Sequence, residues 1–479
     1  MPQNAQYNIV CTNLYGNIWG EKVKVPIHLA MLQRLMSGWH VRLSPYQFIA
    51  IGFAGTILLG ACLLSTSWAS AKPGYTVSFL DALFTATSAV CVTGLIVVDT
   101  GTTFSLFGQL VIIGLIQIGG LGIMSITTLV ALLMGKKIKL RERLILQEAL
   151  NQLSMEGVVR LTLYIIKVTF MIEFIGGTIL ALRWMPEFGL KGIYYGYWHA
   201  VSSFCNAGFD LFGEFRSLTG YVDDITVNLV VTTLIILGGI GFTVISDLWT
   251  HRNFSHCSIH TKVVLVTTVI LLVGGTLGIF LLEYNNTNTL ANLSWSGKLL
   301  GSYFQSVTVR TAGYNTLDIG KMEDATLFFM VLLMFIGASP GSTGGGIKTS
   351  TAAVLVAAMA AMTRGSQDAQ VFRRRIPQFL VYKSFTVVFI AALLVILVTM
   401  VLSITETFPF INILFEVTSA FGTVGVTTGI TTSLSDISKV ALIFTMFAGR
   451  IGPITLVLAL ALREKKGLVQ YPEGKIIIG

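Results

Sequence analysis

Four times along this chain a long apolar run is followed by a short, semi-polar stretch ending near a glycine, and then by a second long apolar run. The short stretches are DALFTATSAVCVTGL (81–95), WHAVSSFCNAGF (198–209), GSYFQSVTVRTAGY (301–314) and FEVTSAFGTVGV (415–426). They align on Gly94, Gly208, Gly313 and Gly425, spaced 114, 105 and 112 residues apart, the near-constant period of an internal repeat. Each offers about a dozen residues before its glycine, where crossing a hydrocarbon core takes about 20. Each therefore reads as a short helix that enters the membrane and returns as an extended strand. Non-helical backbone is tolerated at that depth only when buried in protein or lining an aqueous cavity. Four such returns around one axis make a pore.

Composition agrees. The chain is 53% hydrophobic and 11% charged, where a soluble domain carries about 25% charged residues. The expected fold is an all-α polytopic membrane protein of four span–pore helix–span repeats with pseudo-four-fold symmetry. Repeats 46–134, 161–249, 263–363 and 380–462 are joined by loops 135–160, 250–262 and 364–379, with an N-terminal segment 1–45 and a tail 463–479. The joining loops hold about twice as many Lys and Arg as the opposite side, so they and both termini are expected in the cytoplasm. The other side carries Asp99, Asp210, Glu214, Asp223, Asp224, Asp318, Glu323 and Asp324. Orientation thus accounts for the net charge of +9, and nucleic acid is not an expected partner. Cys62, Cys91 and Cys205 lie in apolar segments and read as small packing residues rather than a disulfide framework. The first 45 residues lack the pattern of a cleavable signal peptide, and Met31 is an alternative translation start.

A dehydrated cation needs oxygens in place of its water, and rings of backbone carbonyls supply them in potassium channels. Glycine lets such carbonyls face an axis without a side chain in the way. The expected filter is Val92, Thr93, Gly94; Asn206, Ala207, Gly208; Thr311, Ala312, Gly313; and Thr423, Val424, Gly425, with potassium at their carbonyls. The alternative is that each glycine only permits close helix packing. Asp99, Asp210 and Asp318 lie just beyond and are candidates for concentrating cations at the outer mouth, or are ordinary solvated loop acids. Arg310 would repel a cation on the axis. It is expected to stand behind the filter as a strut, paired with Glu416 or, less favourably, Asp81.

The second run of repeat 3 breaks at GASPGSTGGGIKTST (337–351), where proline and glycines cannot continue a helix. Residues 337–346, with Gly341, Ser342, Thr343, Gly344, Gly345 and Gly346, are read as a gate or hinge. A phosphate loop is disfavoured, because the G-x-x-x-x-G-K-[ST] spacing is incomplete and no strand precedes it. Arg450, midway along the last run, faces the interior and reaches this loop, or else snorkels as an anchor. His199, His251, His256 and His260 form no plausible metal set with membrane carboxylates. Neither an enzyme nor a covalent cofactor is expected.

These motifs, with AGRIGP (448–453), resemble the Trk/Ktr/HKT superfamily of potassium transporters, over nearly the whole chain from about residue 43. Because the first span belongs directly to repeat 1, the chain looks like the bacterial KtrB-type membrane subunit. Gly94, replaced by serine in some sodium-selective members, favours potassium. The resemblance implies potassium uptake through the bacterial inner membrane, often sodium-dependent, by a homodimer with one pore per subunit. It also implies a cytoplasmic ring of RCK-type nucleotide-binding subunits, with loop 337–346 and Arg450 acting as the gate. Basic loops 135–160 and 364–383 are candidate docking surfaces for such a partner or for anionic lipid, and 141–159 reads as an amphipathic helix. The competing function is an alternating-access transporter of a small solute, with its site at the broken helix. That reading calls for two inverted halves, whereas the repeats run parallel.

Overall fold

The computed structural model describes residues 44–72, 74–133, 138, 140–149, 157–366 and 368–460. Expectations for the N-terminal segment up to residue 43 and for the tail from 461 lie outside the described residues. Repeat 1 contains α1 (Pro45–Leu64), α2 (Phe79–Val90), α3 (Leu106–Leu121) and α4 (Ile123–Leu133), followed by α5 (Leu140–Ala149). Repeat 2 contains α6 (Val158–Phe188), α7 (Leu190–Phe204), α8 (Ile225–Gly239) and α9 (Phe242–His251). Repeat 3 contains α10 (Ile259–Glu283), α11 (Trp295–Thr308), α12 (Asp324–Phe335) and α13 (Thr349–Thr363). A small antiparallel hairpin, β1 (Gln370–Val371) with β2 (Arg374–Arg375), then leads to repeat 4. That repeat contains α14 (Gln378–Thr405), α15 (Phe410–Gly422), α16 (Asp436–Ile451) and α17 (Pro453–Leu460).

Polar caps mark where the apolar runs begin. Ser44 and Gln47 form a reciprocal capping box before α1, and Ser78, Ser105, Asp224, Ser258, Ser294 and Ser435 each accept an N–H from the first turn that follows. Such a cap contributes about 1 kcal/mol. The leading helices α1, α6, α10 and α14 are unbroken at 20, 31, 25 and 28 residues, each long and apolar enough to span a bilayer. Phe174, Ile270 and Phe389 lie exposed along them, which is stable against lipid tails and not against water.

Repeat 3 was expected to be the one repeat with a broken second span, and the structure corrects this. All four second spans are interrupted. The breaks fall at Gly122, Gly241 and Gly452, with φ of 83°, 96° and 95°, and at residues 336–348 in repeat 3. The α8–α9 break bends the chain by 95°. A positive φ cannot continue a right-handed helix, and hydropathy is blind to it because the residues on both sides are equally apolar. The sequence does carry the signal, as GGLG (119–122), GGIG (238–241) and GRIG (449–452).

The first glycine of each of these motifs seats the second span on a pore helix. A Cβ added at Gly119, Gly238 or Gly449 would overlap the carbonyl of Val90, Phe204 or Phe421, at the ends of α2, α7 and α15. The short helices α2, α7, α11 and α15 consequently form the buried interior, with Phe84, Phe204, Phe304 and Phe415 fully enclosed. Ties between repeats reinforce the packing. Lys439 of α16 meets Asp81 of α2 at 2.8 Å. The Tyr314 hydroxyl donates to the Phe209 carbonyl at 2.8 Å, and Ser294 donates to Asp223 at 2.7 Å.

Candidate functional site

Each short helix ends a few residues before its filter glycine, at Val90, Phe204, Thr308 and Gly422, so four negative helix ends approach the same region. The chain then adopts one backbone conformation four times. Val92, Asn206, Thr311 and Thr423 have φ of 56°, 61°, 74° and 51°, and Gly94, Gly208, Gly313 and Gly425 have φ of 96°, 69°, 86° and 91°. The four glycines close into a ring. A Cβ on Gly94 would lie 3.3 Å from the Gly208 Cα, and one on Gly208 would lie 2.5 Å from the Gly313 Cα. A Cβ on Gly425 would lie 2.9 Å from the Gly94 Cα. These hypothetical atoms meet the carbonyl oxygens of Ala207, Ala312 and Thr93, and one on Gly313 would lie 3.0 Å from the Val424 oxygen. Positive φ and the absence of space both demand glycine here. All twelve expected filter residues are brought together. Local bonds fix the strands: Gly94 N–H donates to Ser88 Oγ and Gly425 N–H to Ser419 Oγ, each at 3.0 Å.

The 336–348 segment lies against this ring. Its Gly345 N–H donates to Thr423 Oγ1 at 2.9 Å, and Thr343 Oγ1 donates to Asn206 Oδ1 at 3.2 Å. Other bonds carry it across the bundle. Ser339 and Thr343 N–H donate to the carbonyls of Gly239 and Gly238, and Gly346 N–H donates to the carbonyl of Gly449. Arg450 donates to the Thr343 carbonyl and also to the Gly119 carbonyl of repeat 1. Residues of all four repeats thus hold the loop, directly or through Arg450. A cavity of about 950 Å³ opens on its other face, lined by Phe48, Gly120, Phe242, Gly341, Lys348 and Arg450 among others. None of the twelve filter residues lines that cavity, so the loop stands between it and the ring.

One expectation about charges is corrected. Arg310 does not pair with Glu416 or with Asp81. It is 6% exposed and donates to Thr268 Oγ1 of α10 at 3.3 Å, and its Nε has no partner among the described residues. Glu416 instead accepts from the hydroxyls of Thr427 and Thr431 in its own return strand, and Asp81 holds Lys439. Each acid is satisfied by a nearer partner, which leaves neither for the arginine. Glu416 ties its own helix to residues 427–431 through hydroxyls rather than an ion pair. The three mouth acids are also largely committed. Asp99 accepts from Thr102 N–H, Thr102 Oγ1 and Phe215 N–H at 2.8–2.9 Å, tying the return strand of repeat 1 to that of repeat 2. Asp210 caps the Phe212 N–H, and Asp318 pairs with Lys321 at 2.9 Å.

Two residues with a place at the site went unread in the sequence. Lys348 turns back to donate to the Gly344 carbonyl at 2.7 Å, placing its amino group on the 336–348 segment. Glu173, 4% exposed within α6, accepts from Gln117 Nε2 at 3.3 Å next to Cys205, the residue before Asn206. The signal for both was available, since an ionisable residue inside an apolar run marks a buried partner or a pathway.

Main-chain carbonyls of four repeats meet at one ring inside a bundle of apolar helices, with a loop between that ring and a wide cavity. The chain belongs to the TrkH family of cation transport proteins, whose family model matches residues 47–471. It is 47% identical over 440 residues to the Ktr system potassium uptake protein B of Bacillus subtilis (strain 168), spanning 92% of this chain and 98% of that protein. It is 43% identical over 445 residues to the potassium/sodium uptake protein NtpJ of Enterococcus hirae, spanning 91% and 98%. The crystal structure of the potassium transporter TrkH from Vibrio parahaemolyticus superposes with a TM-score of 0.69 at 17% identity, covering 88% of this chain and 86% of that one. At that identity the match speaks to the fold. The family resemblance read from the motifs holds.

Proposed function

We propose that this chain is the pore-forming subunit of a bacterial potassium uptake system. Potassium sheds water at the ring formed by 92–94, 206–208, 311–313 and 423–425, where backbone carbonyls replace its hydration shell. The four helix ends aimed at the ring stabilise the cation there. Loop 337–346 is the gate, and the guanidinium of Arg450 holds it shut while adding a positive barrier to the exit path. The observation that carries this reading is the mutual contact of four left-handed glycines, each lying against a carbonyl of a neighbouring repeat. The names of the Bacillus and Enterococcus relatives support potassium as cargo, and the second also names sodium; sodium acts on this chain as an activator. The chain works as a homodimer in the inner membrane, with both termini cytoplasmic. A ring of RCK-type nucleotide-binding subunits docks on its basic loops.

The test is growth of a potassium-uptake-deficient bacterium on low potassium. The strain expresses this chain or its Gly313→Ser variant at matched membrane levels, together with the regulatory subunit. Rescue by the parent, with a weakened preference for potassium over sodium in the variant, is the expected result. Equal rescue and equal preference would remove Gly313 from the filter.

A further inference from the structure

The second residue before each filter glycine is Val92, Asn206, Thr311 or Thr423, and all four are fully buried with left-handed backbone. Three of the four are polar, and those three touch either the gate loop or one another. Asn206 does both. Its Nδ2 donates to Thr311 Oγ1 of the neighbouring filter strand at 3.1 Å, and its Oδ1 accepts from Thr343 Oγ1 of the loop at 3.2 Å. Both partners are hydroxyls, able to donate or accept, so the amide is satisfied in either orientation. Gly238 and Gly239 press on the same amide from behind, where an added Cβ would lie 2.7 Å from its oxygen and 3.4 Å from its nitrogen. The amide is therefore confined between filter, loop and second span. Asparagine is also among the few non-glycine residues that accept a left-handed backbone readily.

Resting on the reading of the ring as filter and the loop as gate, we propose that Asn206 is the positioning residue that couples the two. One end of its amide sets the register of the filter strands of repeats 2 and 3, and the other end holds the gate loop shut. When the loop leaves, the amide loses one of its two anchors and the filter side chains lose their floor. Filter geometry and gate position are then one hydrogen-bonded unit. Val92 contributes no polar bond to it, so the coupling is confined to repeats 2, 3 and 4, with Thr423 making the parallel bond to Gly345 N–H.

The test is a cycle across Asn206 that leaves it in place. Thr311→Val and Thr343→Val keep side-chain shape and remove one hydroxyl each from the two ends of the amide. Potassium and sodium fluxes are measured for the parent, both single variants and the double variant, as full-length protein in proteoliposomes. Thr343→Val is expected to raise basal potassium flux about fivefold, the worth of one buried hydrogen bond, and to lower the potassium-over-sodium preference, because the amide has lost its anchor on the loop. Thr311→Val is expected to raise flux about twofold in the parent and not at all in the Thr343→Val background, while lowering the potassium-over-sodium preference. The same fold increase in both backgrounds, or no change in flux from Thr311→Val, overturns the coupling. Asn206→Gly, which keeps the left-handed backbone, is expected to reproduce both effects at once; retention of parent flux and preference also overturns it. Two controls separate this inference from the reading beneath it. Unaltered ion preference in Gly313→Ser, or unaltered flux on shortening 341–345, overturns filter or gate and the coupling with them. Controls that respond while the cycle is additive overturn the coupling alone.

Discussion

The glycine ring and the loop beside it are built on opposite principles. The ring uses main chain only, repeats one conformation four times, and tolerates no side chain at its narrowest positions. The loop occurs once, in repeat 3, and besides main-chain bonds is held by particular side chains, Thr343, Thr423, Asn206 and Arg450. A four-fold backbone device suits a task in which every repeat contributes equally to one small ion. A single asymmetric segment suits a task that one movement must accomplish. The two intramembrane arginines divide along the same line. Arg450 bonds three carbonyls, one on the loop and two in repeat 1, whereas Arg310 meets one threonine of α10. Arg450 also stands in its GRIG motif where repeats 1 and 2 have Gly120 and Gly239, so the side chain that ties the loop to repeat 1 is a substitution in one copy of a shared element.

The largest effect is expected at the ring. Gly425→Ala places a methyl against the Thr93 carbonyl in a left-handed position, and potassium-over-sodium preference in flux assays falls at least about tenfold, or 1.4 kcal/mol. Gly429→Ala is the control, since it has an equally positive φ of 97° with nothing within 4 Å. It keeps preference and lowers stability by about 1 kcal/mol. A loss of preference in both variants would mean that backbone strain, not ring space, explains the first. Next comes the latch. Arg450→Gln breaks charged bonds to the Thr343 and Gly119 carbonyls, and basal potassium flux without regulatory subunits rises about tenfold, charged hydrogen bonds being worth about 1.5–3 kcal/mol. Unchanged flux would separate the arginine from the gate.

A purely structural tie, read by stability rather than by flux, comes third. Lys439→Ala strands Asp81, whose side chain is 22% exposed, and thermal unfolding in detergent reports a loss of about 2 kcal/mol. The Asp81→Ala/Lys439→Ala double variant loses less than the sum of the singles. The smallest effect is expected at Arg310. Replacing a buried, poorly satisfied charge by a well-packed apolar side chain is often neutral or stabilising, so Arg310→Met changes basal flux by less than about twofold. A gain like that of Arg450→Gln would erase the contrast between the two arginines.

Much of the pore was legible before any coordinates. The glycines repeated because the task repeats, and a recurring residue at a recurring interval is the plainest signal a sequence carries. The breaks at Gly122, Gly241 and Gly452 were equally repeated yet passed unread. Apolarity masks a change in backbone angle, because hydropathy continues unbroken through a run that the chain itself bends. Arg310 shows a different limit. Its need for a polar neighbour follows from burial alone, but Glu416, Asp81 and Thr268 are all admissible on that ground. Only their distances reject the first two.

The sequence by itself determined the four-fold plan, the membrane environment and the need for glycine at four matching positions. These follow from composition, length and period, which are properties of residues in order. The tertiary structure decided which hydroxyl meets which amide, that Asp81 belongs to Lys439, and that Arg450 reaches from repeat 4 to both the loop and repeat 1. Hydrogen bonds and ion pairs act over about 3 Å, while the residues that make these stand more than a hundred positions apart. Partner choice at that range is settled by packing, and packing is a property of the whole chain.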